Sequence, residues 1–375
     1  MNAMHLAEQA TLGCLLLEPA LIDSVSSWLR AEDFNHPWHR SVFATIRELH
    51  VARASLDPAS VGQALVGRLG HRKADLPHVV DLLQAAPIHP HGQRYASMVL
   101  EASLRREVAC QGVLLQGAAL SASLSQRSSP VTRITALVDA TLTRAEDRWL
   151  TATGGRAEEP GVGAGWEPGI REHDAALGAD RLLRAHPPLD LAEVLLHEER
   201  LVASLISHPS QIAATAMWLR PEVVSHPEWR PVYTALVQMA ELGQPIDVIT
   251  VAWEVHRTSA RLGPGPGTRT LRDAADLSVT DDPRYLGRVV ACDHLRVTAD
   301  HAADALRTAA TSPGVDLVDV FHTGHLVAAA LRETASAISP SHTDGPAGRR
   351  LAAVRDPAMS RAAETPVGVL GPVAG

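Results

Sequence analysis

Residues 28–40 read WLRAEDFNHPWHR, and residues 218–230 read WLRPEVVSHPEWR. The phrase returns 190 positions later inside a longer match. Ala7–Leu65 aligns without a gap on His197–Val255, 59 positions of which 14 are identical. The identities include Glu8/Glu198, Trp28/Trp218, His36/His226, Pro37/Pro227, Arg40/Arg230 and Asp57/Asp247. After gaps the register resumes at RYASMV (94–99) against RYLGRV (284–289). A period this long describes a duplicated domain and not a solenoid of 20–50-residue repeats. The chain must therefore fold as two related units, which 375 residues can accommodate with a core in each.

The matched positions also give the kind of unit. Leu12, Leu15 and Leu16 face Val202, Leu205 and Ile206 in the alignment, an i, i+3, i+4 apolar stripe in both copies. Val42, Phe43, Ile46 and Leu49 repeat it. Pro37 and Pro227 fit the first turn of a helix, where a missing N–H has no helical partner in any case, with Asn35 and Ser225 as expected N-caps. Each copy then carries two long helical stretches, 93–124 and 130–150 in the first, 283–311 and 315–338 in the second, separated by SQRSSP and TSPG. Two long helices joined by a short Pro-marked turn form an αα-hairpin. Aromatics at 3% and an Ala/Leu-rich composition favour helix over sheet.

The expected architecture is all-α: two tandem helical-bundle domains, each followed by a helical hairpin. Copy one spans 1–150 and a diverged copy two spans 186–338. Residues 151–185, which include TATGGRAEEPGVGAGWEPG, read as a flexible Gly/Pro-rich linker, and 339–375 as a disordered tail. The first residues lack a basic segment and meet Glu8 early, unlike a secretory signal. No apolar run approaches the roughly 20 residues of a membrane span. Three unpaired-looking cysteines, Cys14, Cys110 and Cys292, suit a reducing compartment. A cytoplasmic protein without membrane contact is expected.

AEQATLGCLLLEPALID, LRAEDFNHPWHRSVFATI and GQRYASMVLEASLRREV occur in that order, and together they resemble the N-terminal domain of DnaB-type replicative DNA helicases. Copy two is similar to the same domain, most clearly at GQPIDVITVAWEV. The resemblance covers about 300 residues in two units. It implies a small helical bundle with a hairpin, six of which pair through their hairpins into a collar that sits above the motor ring and docks primase. It implies a bacterial replication protein acting through protein contacts, because in that family the chemistry lies in a separate motor domain.

The sequence itself speaks to the motor. A P-loop requires G-x-x-x-x-G-K-[ST], whose Lys reaches the nucleotide phosphates. The only lysine here is Lys73, in LGHRKADL. These 375 residues contain no Walker A motif, so no ATP cofactor and no catalytic residue are expected of them. Charge argues against strong direct DNA binding: residues 1–150 are neutral, with 14 acidic and 14 basic side chains, whereas 186–338 hold 19 acidic against 12 basic.

Other residue patterns yield plainer readings. His89 and His91 in IHPHG, and His36/His226, lack the clustered Cys or carboxylate partners of a metal site, so no metal is expected. Cys14, with Ser204 opposite it in copy two, reads as core, not nucleophile. Glu8/Glu198 and Arg40/Arg230 read as a structural ion pair or hydrogen bond inside each bundle, and Trp28/Trp218 as packing. The Ala/Leu-rich hairpins need an apolar partner, either each other as an internal pseudo-dimer or another chain, including a homo-oligomer. Binding to the replicative helicase or primase is expected. Two alternatives stand beside it: an accessory subunit whose ATPase is on another chain, and a dimerising scaffold or regulator unrelated to the fork.

Overall fold

The computed structural model describes residues 3–74, 76–88, 91–154 and 172–336. Among these the regular elements are helices and no strand occurs. Copy one runs α1 (Ala3–Leu17), α2 (Leu21–Ser26), a 3-10 turn at Ala31–Asp33, α3 (Pro37–Val51), α4 (Pro58–Leu69), α5 (His71–Ala74), α6 (Leu76–Ala85), α7 (Gly92–Ser125) and α8 (Ser129–Thr153). After α9 (Glu172–Ala185), copy two runs α10 (Leu191–Ser207), α11 (Ile212–Ala216), a 3-10 turn at Pro221–Val223, α12 (Trp229–Glu241), α13 (Val248–Leu262), α14 (Thr268–Leu277), α15 (Pro283–Thr311) and α16 (Leu317–Ser336). The halves correspond in order, bundle then hairpin, as the 190-residue period predicts.

The apolar stripes lie where the period puts them. Leu12, Leu15, Val42, Phe43 and Ile46 are buried in copy one, as are Val202, Leu205, Val232, Tyr233 and Leu236 in copy two. Burying one such side chain contributes about 1.5–3 kcal/mol relative to leaving it exposed. Where copy two has Tyr233 in place of Phe43, the added hydroxyl donates to the Leu219 carbonyl at 2.7 Å, so the buried polar atom is satisfied. Asp57 and Asp247 survive duplication for a local reason. Each caps its helix through the side chain, Asp57 accepting from Ala59 and Ser60 N–H and Asp247 from Ile249 and Thr250 N–H.

A turn shows what the second copy improved. Arg53 has φ 54°, and Gly243, at the equivalent position, has φ 64°. A side chain in this left-handed region costs about 1–2 kcal/mol, which glycine avoids. Arg53→Gly is expected to stabilise copy one by about 1 kcal/mol in urea unfolding; an unchanged or lower midpoint would contradict this.

The hairpins close the molecule. α7 packs along α15 and α8 along α16, within one unit spanning Met1–Ile338. Gly112 permits a close approach of α7 to the backbone of α15, since a Cβ there would lie 3.0 Å from both Cα and Cβ of Ala303. Polar bonds border the contact: Gln116 Nε2 donates to Asp300 at 2.8 Å, His325 Nδ1 lies 3.0 Å from Asp139, and Arg332 pairs with Asp139. Arg105 donates to the carbonyls of Ser312 and Val315 in the second hairpin's turn.

Two expectations need correction. Residues 172–185, within the stretch read as linker, form α9 on the surface of α7, where a Cβ on Gly117 would come within 2.6 Å of Ala179 Cβ. The Gly/Pro composition ends near residue 169, and EHDAALGADRLLRA is built of good helix formers; averaging across 151–185 conceals them. The rest of that linker, 155–171, and the tail 339–375 lie outside the described residues. In addition, α7 is long and apolar enough to span a bilayer by composition, because Gln111, Gln116 and Ser121 interrupt its run without lowering its mean hydropathy enough. Its apolar face is nonetheless that of a core helix, with Leu100, Leu104, Val108, Leu115 and Ala119 buried against neighbouring helices.

Candidate functional site

The repeated phrase folds into the same joint in both copies, and a buried carboxylate holds it. Glu8 on α1 accepts from Asn35 N–H at 2.5 Å and His36 N–H at 3.3 Å. Glu198 on α10 accepts from Ser225 N–H at 2.8 Å, Ser225 Oγ at 2.8 Å and His226 N–H at 2.7 Å. These are donors just ahead of a helix that has no intrahelical acceptor for them. The carboxylates are 1% and 2% exposed, and their charge also suits the positive end of the helix. Arg40 Nε donates to the Phe34 carbonyl at 2.6 Å and Arg230 Nε to the Val224 carbonyl at 2.5 Å. Glu and Arg thus hold the two sides of one backbone joint. The expected Glu–Arg pairing, as ion pair or hydrogen bond, is not the arrangement formed: in each copy the two side chains bond separately to backbone on opposite sides of the joint.

The N-caps differ from expectation. His36 is the N-cap of α3 and makes no side-chain cap bond, while Ser225 Oγ donates to Glu198 instead of capping α12. The Glu from a distant helix takes over the capping task. Pro37 opens α3; α12 begins at Trp229, yet Arg230 N–H still bonds the His226 carbonyl at 2.9 Å, so Pro227 occupies an equivalent first turn.

Copy one adds a histidine cluster at this joint. His39 Nδ1 lies 2.6 Å from Glu8 Oε2, and both side chains are buried. The His5 ring stacks on His39 at 4.9 Å, His36 lies 4.7 Å from His39, and Trp38 bridges toward His78 at 5.0 Å. His39 Nε2 is buried without a hydrogen-bond partner. Burial by itself raises the Glu8 pKa, but the bonds from His39, Asn35 and His36 outweigh it and leave the carboxyl below its usual range. His5 and His36 are pushed below the ordinary histidine value, first by burial and then by neighbouring imidazoles.

Residues 1–101 and 191–279 match the family model of the DnaB-like helicase N terminal domain, one segment in each copy. The chain belongs to the DnaB-like helicase N-terminal domain family. It is 32% identical over 103 residues to the replicative DNA helicase DnaB of Mycobacterium leprae (strain TN), an alignment covering 27% of this chain and 17% of the helicase. The chain thus matches only a small part of that relative's length. No solved structure gives a significant match.

The other residues singled out in this DnaB-like protein occupy structural places. Trp28 is buried, and its carbonyl accepts from Arg148 Nε at 3.1 Å; Trp218 is half-buried against Gly287 of α15. Arg148 also pairs with buried Asp33 at 2.5 Å, tying the joint of copy one to its hairpin. Cys14 is buried with its thiol pushed up by burial, as a core cysteine should be, and Cys110 and Cys292 are free. His91 is exposed beside Tyr95 at the start of α7, and His89 lies outside the described residues.

Two features escaped the sequence reading. His5-x-x-Glu8 and His36-x-x-His39 each span one helical turn, a signal hidden because neither pattern shows that the two helices meet. On α13, Ile249 and Trp253 stand one turn apart and are each 69% exposed. They line a groove with Met239, Gln244, Pro245 and Arg257. In copy one the equivalent of Trp253 is Gln63, in a groove that includes Pro58 and Ala59.

Proposed function

We propose that this chain is a non-catalytic DNA-replication protein that imitates one dimer of a replicative-helicase collar and engages the collar, the primase, or both. The observation that carries the proposal is the internal packing of the two hairpins, α7 on α15 and α8 on α16. In the collar the resemblance implies, that contact joins separate subunits; here one chain supplies both sides. Residues 1–150 and 186–338 then act as the two collar units, in the cytoplasm. No lysine is available for nucleotide phosphate beyond Lys73, which supports a role without ATP turnover by these residues.

With the hairpin faces used internally, the partner takes another surface. The α13 groove is the best suited: an exposed Trp beside Ile249, Pro245 and Arg257 combines the residue types that dominate protein interfaces. Copy two's acidic excess makes duplex DNA a poor occupant and a partly basic protein face a good one.

Affinity capture from the native host with this chain as bait is expected to return the replicative helicase or the primase. Trp253→Ala should lower that capture by about thirtyfold, a hot-spot loss near 2 kcal/mol, while leaving the melting temperature unchanged. Recovery of neither protein rejects the proposal. Capture of a separately encoded ATPase, with its turnover stimulated, would assign the accessory-subunit role in its place. A bait that recovers only copies of itself would indicate a scaffold.

A further inference from the structure

The histidine cluster of copy one is unnecessary for the fold that surrounds it. Copy two builds the same joint with Leu195 where copy one has His5 and with buried Trp229 where copy one has His39. Apolar residues therefore fill this space adequately. An imidazole in the same place is 0% exposed and leaves Nε2 without a partner. A buried, unsatisfied polar atom costs about 1–3 kcal/mol. Something must compensate, and the neighbouring groups indicate its chemistry. His5, Glu8 and His39 each place one ligand atom within 4.8 Å of the other two.

We propose that His5, Glu8 and His39 form a site for one divalent transition-metal ion, of the zinc, cobalt or nickel type, that staples α1 to the start of α3. Two imidazoles and one carboxylate are a donor set such ions favour over magnesium or calcium, which take oxygen ligands. Ligands of a tetrahedral zinc lie about 3.3–3.5 Å apart, given Zn–N near 2.0–2.1 Å, so separations of up to 4.8 Å must close while His39 Nδ1 and Glu8 Oε2, 2.6 Å apart without the ion, move apart. His5 sits in the first turn of a helix and is only half-buried, so its side chain has freedom to close. Glu8 keeps its position through the Asn35 and His36 N–H bonds, which leaves it oriented for a ligand on its His39 side. Binding needs neutral imidazoles and displaces any proton shared between Glu8 and His39. Three protein ligands leave a coordination position for water.

The test uses the full chain, freed of metal by chelator and dialysis. Titration with Co²⁺ is expected to give visible d–d absorption that saturates at one ion per chain and is bleached by Zn²⁺. Zn²⁺ should also raise the melting temperature. His5→Leu, which installs the residue of copy two, is expected to weaken binding by at least about tenfold with the circular dichroism spectrum retained. His5→Gln serves as a second variant should the first fail to fold. His91→Ala, outside the cluster, should bind like the parent chain. Absence of a Co²⁺ spectrum in the parent overturns the proposal. So does binding that survives both His5 substitutions, or that is lost with His91→Ala.

Discussion

Replacing Glu198 by Ala is expected to destabilise the protein by about 3 kcal/mol, the largest loss from any single side chain of the joint. The carboxylate is 2% exposed and receives three hydrogen bonds, from Ser225 N–H, Ser225 Oγ and His226 N–H at 2.7–2.8 Å. Hydrogen bonds to a charged acceptor are worth about 1.5–3 kcal/mol each, and removing the acceptor strands donors that the helix cannot use. Water replaces part of the loss, because Ser225 itself is exposed. Glu198→Gln retains the shape and one carbonyl acceptor and should cost about half as much. Arg230→Ala forfeits the bonds to the Val224 carbonyl and, at 3.3 Å, the Glu222 carbonyl, and should cost about 1 kcal/mol. Urea unfolding followed by circular dichroism measures all three. An Ala variant unfolding with the parent chain would mean that the joint is not held by this carboxylate.

Gly112→Leu is expected to open the contact between the hairpins. A Cβ at 112 already meets Ala303 Cα and Cβ at 3.0 Å, and Ala303 O at 3.3 Å, so a branched side chain has no room. Overpacking a rigid contact costs about 1–3 kcal/mol, and helix backbones shift less readily than a flexible side-chain tip. The apolar faces freed by the change, including Leu115 and Ala119 on α7 and Leu306 and Ala310 on α15, then seek another chain. Size-exclusion chromatography with light scattering should find the parent chain as a monomer and the Leu variant as a dimer or larger species with a lowered melting temperature. Gly112→Ala should fall between them. A monomeric Leu variant of unchanged stability would show that α7 and α15 do not depend on close approach, and with that the collar-dimer analogy loses its physical basis.

These two predictions bear on different levels of the proposed role. The Glu198 joint maintains the shape of one bundle, whereas Gly112 determines whether the two hairpins satisfy each other or remain free for other subunits. Trp253 then stands apart from both, on a face that neither contact consumes.

Much of the architecture was legible from local pattern. The 190-residue period announced two units, the 3.6-residue stripes located the buried faces, and Asp57 and Asp247 marked helix starts that their side chains do cap. Those features depend on neighbours within one or two turns, so the order of residues is sufficient to specify them. The roles of Glu8 and Glu198 were not legible, because the backbone they cap lies 27 and 28 residues away and packing alone brings it near. The same limit applies to His5 beside His39, to Gly112 beside Ala303 and to the exposure of Trp253: periodicity tells that a face is buried or open, but not which face meets it. Contacts between residues 34 and nearly 200 positions apart are products of how helices dock, and only the folded chain decides them.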